Sequence, residues 1–396
     1  MASGLASSYP QLLVFRMFSG MAGVAPMTSA YGVYADLEAD ITARGRLCAN
    51  LVTASQSAPI FGAFIGGFIA IPGWRWCCWF CLICAGITLP MSIFMPETFA
   101  PIILKRRAEL LRKTTGKMNI VAPIELSHQG FKDKVTSNFS RPFHMLFTEP
   151  IVYCSAIFLS LTYAMGFVYL QAYPLIFKGI YGLDSAYTGI CFLPIFVGIA
   201  IAHVLFIWYE NFLANAKARN ASWVDIEEYR RLPLACLGGP SYVVALFWIS
   251  WTARSSIHWS VPALSGISFG IGWNINFQTL TNYVNDAYGI YSASANAAVT
   301  SCRCLFGAVL PLAVKPMFDH LGVNWGCSLL AFVSLAVSVV PFVFIYCGTG
   351  IRASSKFCRE LQKLQEHEMK EASSDSEAGV AVINSRPKDV EKQDYR

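Results

Sequence analysis

The chain has 396 residues, of which 55% are hydrophobic and only 14% charged. A soluble domain carries about a quarter charged residues, so much of this surface meets something other than water. The formal net charge of +6 is gathered in a few polar segments, which excludes the continuous basic face of a nucleic-acid binder and fits a membrane topology.

Apolar runs long enough to cross a bilayer, roughly 20 residues each, predict nine transmembrane helices. They cover 11–34, 47–71, 74–95, 151–173, 187–209, 234–252, 259–282, 293–317 and 325–347. Helix is the expectation because lipid offers no partner to unpaired backbone groups. The long runs lack the short alternation of a barrel. The expected organisation is an extracellular start at 1–10, three spans within 11–95, and a basic cytosolic loop at 96–150. A six-span half at 151–347 and a cytosolic tail at 348–396, largely disordered from 372, complete it.

Residues 1–10 lack a basic leader, so no cleavable signal peptide is expected. Span one carries Arg16, and an ionised arginine deep in lipid costs at least about 2.5 kcal/mol. It is expected to face protein or water. Arg44 and Arg46 follow on the cytosolic side. Span two contains Pro59 and Gly62-x-x-x-Gly66, a spacing of small residues that lets two helix backbones approach closely. Span three holds Cys77, Cys78, Cys81 and Cys84. They read as small apolar side chains or, at Cys78-x-x-Cys81, as a redox or metal pair. No second cluster completes a zinc site, so no metal and no cofactor is expected.

The central loop concentrates Lys105, Arg106, Arg107, Arg112 and Lys113. Residues 102–113 read either as an amphipathic helix resting on anionic lipid or as a solvated run of charge. Span four brings Tyr163, Tyr169, Gln171 and Tyr173. Span five brings Gly198-x-x-x-Ala202 and His203, the latter either a proton carrier or a hydrogen-bonded helix contact. Lys217, Arg219, Arg230 and Arg231 follow it. In span seven Asn274, Gln278 and Asn282 recur every four residues and share a helix face, which must line a cavity or another helix. Span eight carries Arg303. The positive-inside rule then places the N-terminus outside and the C-terminus in the cytosol. The sequons at Asn138 and Asn220 fall on the cytosolic side and are expected to stay unmodified. No enzyme constellation emerges: no Gly-x-Ser-x-Gly, phosphate loop or His-Glu-x-x-His.

Several segments, taken in order, resemble the major facilitator superfamily, and within it the fungal 12-span drug:proton antiporters. Arg16-Met17-Phe18-Ser19-Gly20 resembles the start of that family's fourth helix. Asp36 with Arg44-Gly45 is similar to its next cytosolic loop, and Pro59-Ile60-Phe61-Gly62-Ala63-Phe64-Ile65-Gly66-Gly67 to its antiporter motif. Trp74-Arg75-Trp76 and Pro96-Glu97-Thr98-Phe99-Ala100-Pro101 resemble the flanks of the sixth helix. Arg141-Pro142-Phe143 with Glu149-Pro150 resembles the approach to the seventh. Asp286-Ala287-Tyr288, Ala293-Ser294-Ala295 and Arg303 are similar to the region of the eleventh. The match covers about residues 11–355. Ala58 and Ala63 stand where the family usually has Gly and Pro. The first three helices of the family pattern have no counterpart here.

The resemblance implies an all-α major facilitator fold, truncated at its N-terminus, with three spans followed by six. It implies export of a hydrophobic or amphipathic small molecule by proton antiport, with two halves alternating around a midplane site. Arg16 is then expected to take part in proton coupling, and Tyr169, Gln171, Asn274 and Gln278 to contact substrate. Gly62, Gly66, Gly198 and Ala202 are expected to form the moving seam. The expected partners are the small molecule, protons, the bilayer of the plasma membrane rather than the vacuole, and a chain that completes the fold. Two other readings stand beside this one: a non-transporting remnant or mispredicted gene product, and a membrane sensor or scaffold.

Overall fold

A computed structural model describes residues 2–37, 41–116, 121, 131–219, 221, 227–288, 291–355 and 359. Among these residues the only regular elements are helices. α1 (Tyr9–Leu37), α2 (Ile41–Ile69) and α3 (Arg75–Ile93) come first, then α4 (Ala100–Thr115) and α5 (Phe131–Thr148). The second part holds α6 (Pro150–Gly179), a short α7 (Ser185–Ile190), α8 (Leu193–Ala218), α9 (Glu227–Thr252) and α10 (Ser260–Tyr288). α11 (Ser292–Val309), α12 (Val314–Val337) and α13 (Val340–Ser354) close it.

Each of the nine predicted spans lies on helix. Among the described residues, six stretches are long and apolar enough to cross a bilayer: Gly45–Ile69, Arg75–Ile93, Pro150–Gly179, Ser185–Ala218, Glu228–Thr252 and Ser292–Gly348. The last of these is not one rod. Gly322 sits in it at φ 73°, a left-handed conformation that suits glycine, and breaks α12 where the eighth and ninth predicted spans part. α10 falls outside the six because its polar residues dilute its apolar character.

The central segment holds more order than a loop. Pro101 starts α4 and the left-handed Gly116 (φ 68°) ends it, with the Gly116 amide donating to the Arg112 carbonyl. The second helix, α5, was not expected, and it seats Met145 without exposure against α6 and α11. The remainder of the tail and both sequon asparagine side chains lie outside the described residues.

Packing is uneven along the chain. α10 is the axis of the second part, closely packed against α8 and α9. Glycines make this possible. A Cβ at Gly272 would stand 2.5 Å from both the Gly238 carbonyl oxygen and the Tyr242 Cβ of α9. A Cβ at Gly198 would stand 2.2 Å from the Ile267 carbonyl oxygen. Around this axis Tyr173, Phe177, Phe269 and Trp273 form the aromatic core. α3, by contrast, has no buried residue, and none of the described side chains of α1 is buried. Cys81 and Cys84 are exposed on α3, while Cys77 and Cys78 are half-buried. α2 is the element of the first part that joins the second, packing on α7, α8 and α10.

Candidate functional site

Two polar clusters flank α2 where it meets the second part of the chain. The first centres on the Thr53 hydroxyl. Gln278 Nε2 donates to it at 2.5 Å and Asn274 Nδ2 at 3.5 Å. His203 Nδ1 of α8 lies 2.9 Å from the same oxygen. The same two amides also donate to backbone carbonyls, Asn274 to Ile199 at 3.2 Å and Gln278 to Ala49 at 3.3 Å. The amide strip read from the sequence is therefore a helix-to-helix seam. A polar group buried without a partner costs about 1–3 kcal/mol; α2 and α8 supply acceptors for the two amide nitrogens, while Asn274 Oδ1 and Gln278 Oε1 have no partner among the described residues. Asn282, the third member of the strip, is also buried.

The second cluster lines a cavity of about 50 Å³ between α2, α6, α10 and α11. α6 presents Tyr163, Gly166, Phe167 and Leu170 to it, positions that share one face of a helix. α2 gives Gln56, α10 gives Trp273 and α11 gives Arg303. Gln56 and Trp273 are buried, with 4% and 1% of their surfaces exposed. Gln56 Nε2, Trp273 Nε1 and Arg303 Nε have no hydrogen-bond partner among the described residues. The Arg303 guanidinium lies over two rings, 5.1 Å from the centre of Tyr163 and 4.7 Å from that of Phe277. Cation–π attraction of this kind offsets part of the cost of holding the charge away from water. These aromatic faces thus already hold the protein's own cation.

Other expected residues sit elsewhere. Tyr169 has 2% of its surface exposed, stacks on Phe269 at 4.0 Å and meets Ser265 Oγ at 2.7 Å. Ser265 gives its own proton to the Pro262 carbonyl, so Tyr169 is the donor in that pair. The side chain is committed to the core and does not line the cavity. Gln171 is exposed on the outside of α6. The reason for both departures is helical geometry, since each residue turns the direction by about 100° and the cavity stripe runs through Phe167 and Leu170. Asn274 and Gln278 are gathered, but at the seam beside the cavity.

The glycine expectations divide. Gly198 makes the close approach, to α10, and Ala202 is fully buried beside it. Gly62 is exposed and Gly66 half-buried, and nothing lies within 4 Å of a Cβ built on either. The tight contact of α2 falls one residue later, at Gly67, where a Cβ would stand 2.7 Å from the Ser185 carbonyl oxygen and 3.2 Å from Gly189 Cα. Arg16 is exposed on α1, with Nη2 3.9 Å from Cys78 Sγ of α3. It is on no wall of the cavity. Thr53, Gln56, Gly166 and Trp273 were not singled out from sequence. The spacing of Tyr163, Gly166, Phe167 and Leu170 carried the signal for the α6 wall, and the polar Thr53 and Gln56 one turn apart on an apolar helix carried it for α2.

At the end of the bundle that carries the basic segments, Arg231 is buried and paired with Glu210 of α8 and, at 2.8 Å, with Asp286 of α10. Arg230 joins Asp286 at 2.9 Å. Arg46 of α2 donates to Asn211 Oδ1 at 2.7 Å. Charges at helix ends ordinarily lie in water, but here they clasp three helices of the second part, with α2 tied alongside. Glu149, just before the start of α6, is likewise buried and accepts from the Tyr288 hydroxyl at 3.1 Å.

The family profile of the Major Facilitator Superfamily matches residues 1–311. The chain is 35% identical over 372 residues to "Efflux pump FUB11" of Gibberella fujikuroi, covering 91% of this chain and 63% of that protein. It is 35% identical over 367 residues to "Major facilitator superfamily multidrug transporter FLU1" of Candida albicans, covering 91% of this chain and 60% of that one. The match to "Major facilitator superfamily multidrug transporter mdrA" of Aspergillus fumigatus is 35% over 368 residues, again 91% and 60%. The chain spans about three fifths of the length of these relatives. With an all-helical architecture, apolar spans and a polar enclosure between helices, this multi-pass membrane protein belongs to the major facilitator superfamily, among relatives that are fungal efflux pumps and multidrug transporters.

Proposed function

We propose that the chain exports a hydrophobic or amphipathic small molecule across the plasma membrane in exchange for protons, by alternating access. The observation that carries this reading is the polar cavity walled by α2 on one side and α6, α10 and α11 on the other. A site at the meeting of two helical parts is where a rocking transporter binds its cargo.

Proton exchange needs a group that titrates near neutral pH, and an arginine does not release its proton. An unperturbed imidazole is such a group, and His203 lies at the seam. Thr53 Oγ1 takes N–H donors from Gln278 and Asn274, so its own proton points to His203 Nδ1. Protonated, His203 would donate instead, and three donors would converge on an oxygen with two lone pairs. Protonation would therefore loosen the seam between α2 and the second part. The charged groups on the same helices, Arg46, Glu210 and Asp286, lie about two turns further along and are already engaged with partners. Arg16 contributes a fixed positive charge on α1.

The test is flux in proteoliposomes containing the full chain. An imposed proton gradient is expected to drive uptake of an amphipathic dye, with proton movement in the opposite sense. His203→Gln is expected to keep gradient-free exchange of dye and lose the dependence on pH. Dye movement that ignores the gradient in the wild-type chain would remove proton antiport. Unchanged pH dependence in His203→Gln would remove that residue from the coupling.

A further inference from the structure

We propose that the cavity beside Arg303 is a subsite for the carboxylate of an organic acid. This deepens the export reading and rests on it, since it assigns a chemical class to the cargo. The argument is an imbalance of hydrogen-bonding groups. Three buried nitrogen donors without partners belong to residues of this one cavity: Arg303 Nε, Gln56 Nε2 and Trp273 Nε1. They come from three different helices, so no local backbone pattern accounts for their meeting. Among the described residues no Asp or Glu lines the cavity. An apolar or cationic guest offers these donors nothing, a neutral oxygen gives them an acceptor without charge, and a carboxylate gives them acceptors and also pairs with the guanidinium charge.

The geometry favours a planar anion. The Arg303 guanidinium rests on the rings of Tyr163 and Phe277, contacts that use its faces. Its edges remain for hydrogen bonds, and the guanidinium edge is the fork that matches a carboxylate in a bidentate pair. Gly166 admits the indole of Trp273 against α6: a Cβ there would stand 3.1 Å from Nε1. The Trp273 N–H is thereby held at the wall that Gly166 shares with the cavity. Size agrees as well. A cavity of about 50 Å³ holds about four water-sized groups, which suits a carboxylate and its attached carbon. Drug-sized ligands need several hundred Å³, so the cavity is an anchor for the acid group alone. The apolar body of the cargo would lie along Phe167 and Leu170, which line the same space.

The experiment is equilibrium binding of tritiated naphthoate to the full chain in lipid nanodiscs at neutral pH. Unlabelled naphthoate, methyl naphthoate and naphthylmethylamine serve as competitors. The acid is expected to compete at least about tenfold better than the ester or the amine, the scale of one charge-assisted bidentate pair. Arg303→Gln is expected to weaken naphthoate by about tenfold or more, and Arg303→Lys, a point charge without the fork, by less. Gln56→Leu is expected to weaken it several-fold while leaving the thermal melt in place. If Arg303→Gln does not fold, Arg303→Lys and Gln56→Leu carry the same test.

Absence of saturable naphthoate binding to the wild-type chain overturns the subsite. So does an ester as potent as the acid, or wild-type affinity in folded Arg303 and Gln56 variants. Flux measured in parallel keeps the two readings apart. Dye export without acid binding removes only the subsite. Acid binding without any flux removes the export reading and leaves the subsite standing.

Discussion

Gly166 of α6 and Trp273 of α10 are fitted to each other: a Cβ on the glycine would stand 2.4 Å from Cζ2 of the indole. Trp273 is 1% exposed, and the space open to a displaced ring is the cavity it lines. Gly166→Ala is expected to destabilise the chain by about 1–3 kcal/mol through overpacking. It should also push the indole into the cavity and weaken naphthoate binding. Thermal unfolding in detergent and the binding assay check both effects. A neutral Gly166→Ala would mean that α6 and α10 separate easily.

A pair of glycine substitutions separates the seam from the exposed face of α2. Gly198→Ala places a methyl 2.2 Å from a backbone oxygen of Ile267, an atom that cannot swing away. A loss of about 1–3 kcal/mol or more is expected. Gly62→Ala meets nothing within 4 Å and gains helix propensity of up to about 1 kcal/mol. Melting curves of the two variants should move in opposite directions. A destabilised Gly62→Ala would show that the face is covered in the membrane.

Thr53 is the hub of three polar side chains. Thr53→Val is close in shape but leaves Gln278, Asn274 and His203 short of a partner. A cost of about 1–3 kcal/mol is expected, while Thr53→Ser stays near wild type. The comparison of the two melts isolates the hydroxyl from packing. Equal stability of the valine and serine variants would contradict the seam described here.

The buried cluster at the end of the bundle that carries the basic segments makes a further prediction. Asp286→Asn removes the carboxylate shared by Arg230 and Arg231. Breaking a buried ion pair by one partner costs about 3–5 kcal/mol, and Glu210 retains part of the pairing, so the lower part of that range is expected. Replacing Lys105 on the exposed face of α4 should change stability by less than about 0.5 kcal/mol. Denaturation monitored by circular dichroism distinguishes them.

The spans were legible because lipid imposes one solution on the backbone, and the length of each apolar run reports it. α5 was not, since Phe131–Thr148 is amphipathic and falls well short of the apolar character of a span, and its place is fixed by Met145 docking on α6 and α11. The site was half legible. Arg303 and the amides of α10 stand out because charge and polarity are costly in lipid. Which helix face each residue occupies is a matter of rotation, and a shift of one or two positions moved the expectation from Phe167 and Leu170 to Tyr169 and Gln171. Gly62 and Gly66 match a spacing rule, yet the contact fell at Gly67 because the partner is the short α7, which no hydropathy pattern announces.

The link between α2 and α10 carries directional hydrogen bonds beside its apolar contacts, with Gln278 reaching both the Ala49 carbonyl and the Thr53 hydroxyl. Greasy surfaces can slide across one another and lose attraction by degrees. A donor and acceptor lose most of theirs within a fraction of an ångström and a few tens of degrees. Separation of these two helices would consequently proceed as a snap, with few intermediate positions held for long, and the dwell times of a single molecule would fall into two classes rather than a continuum.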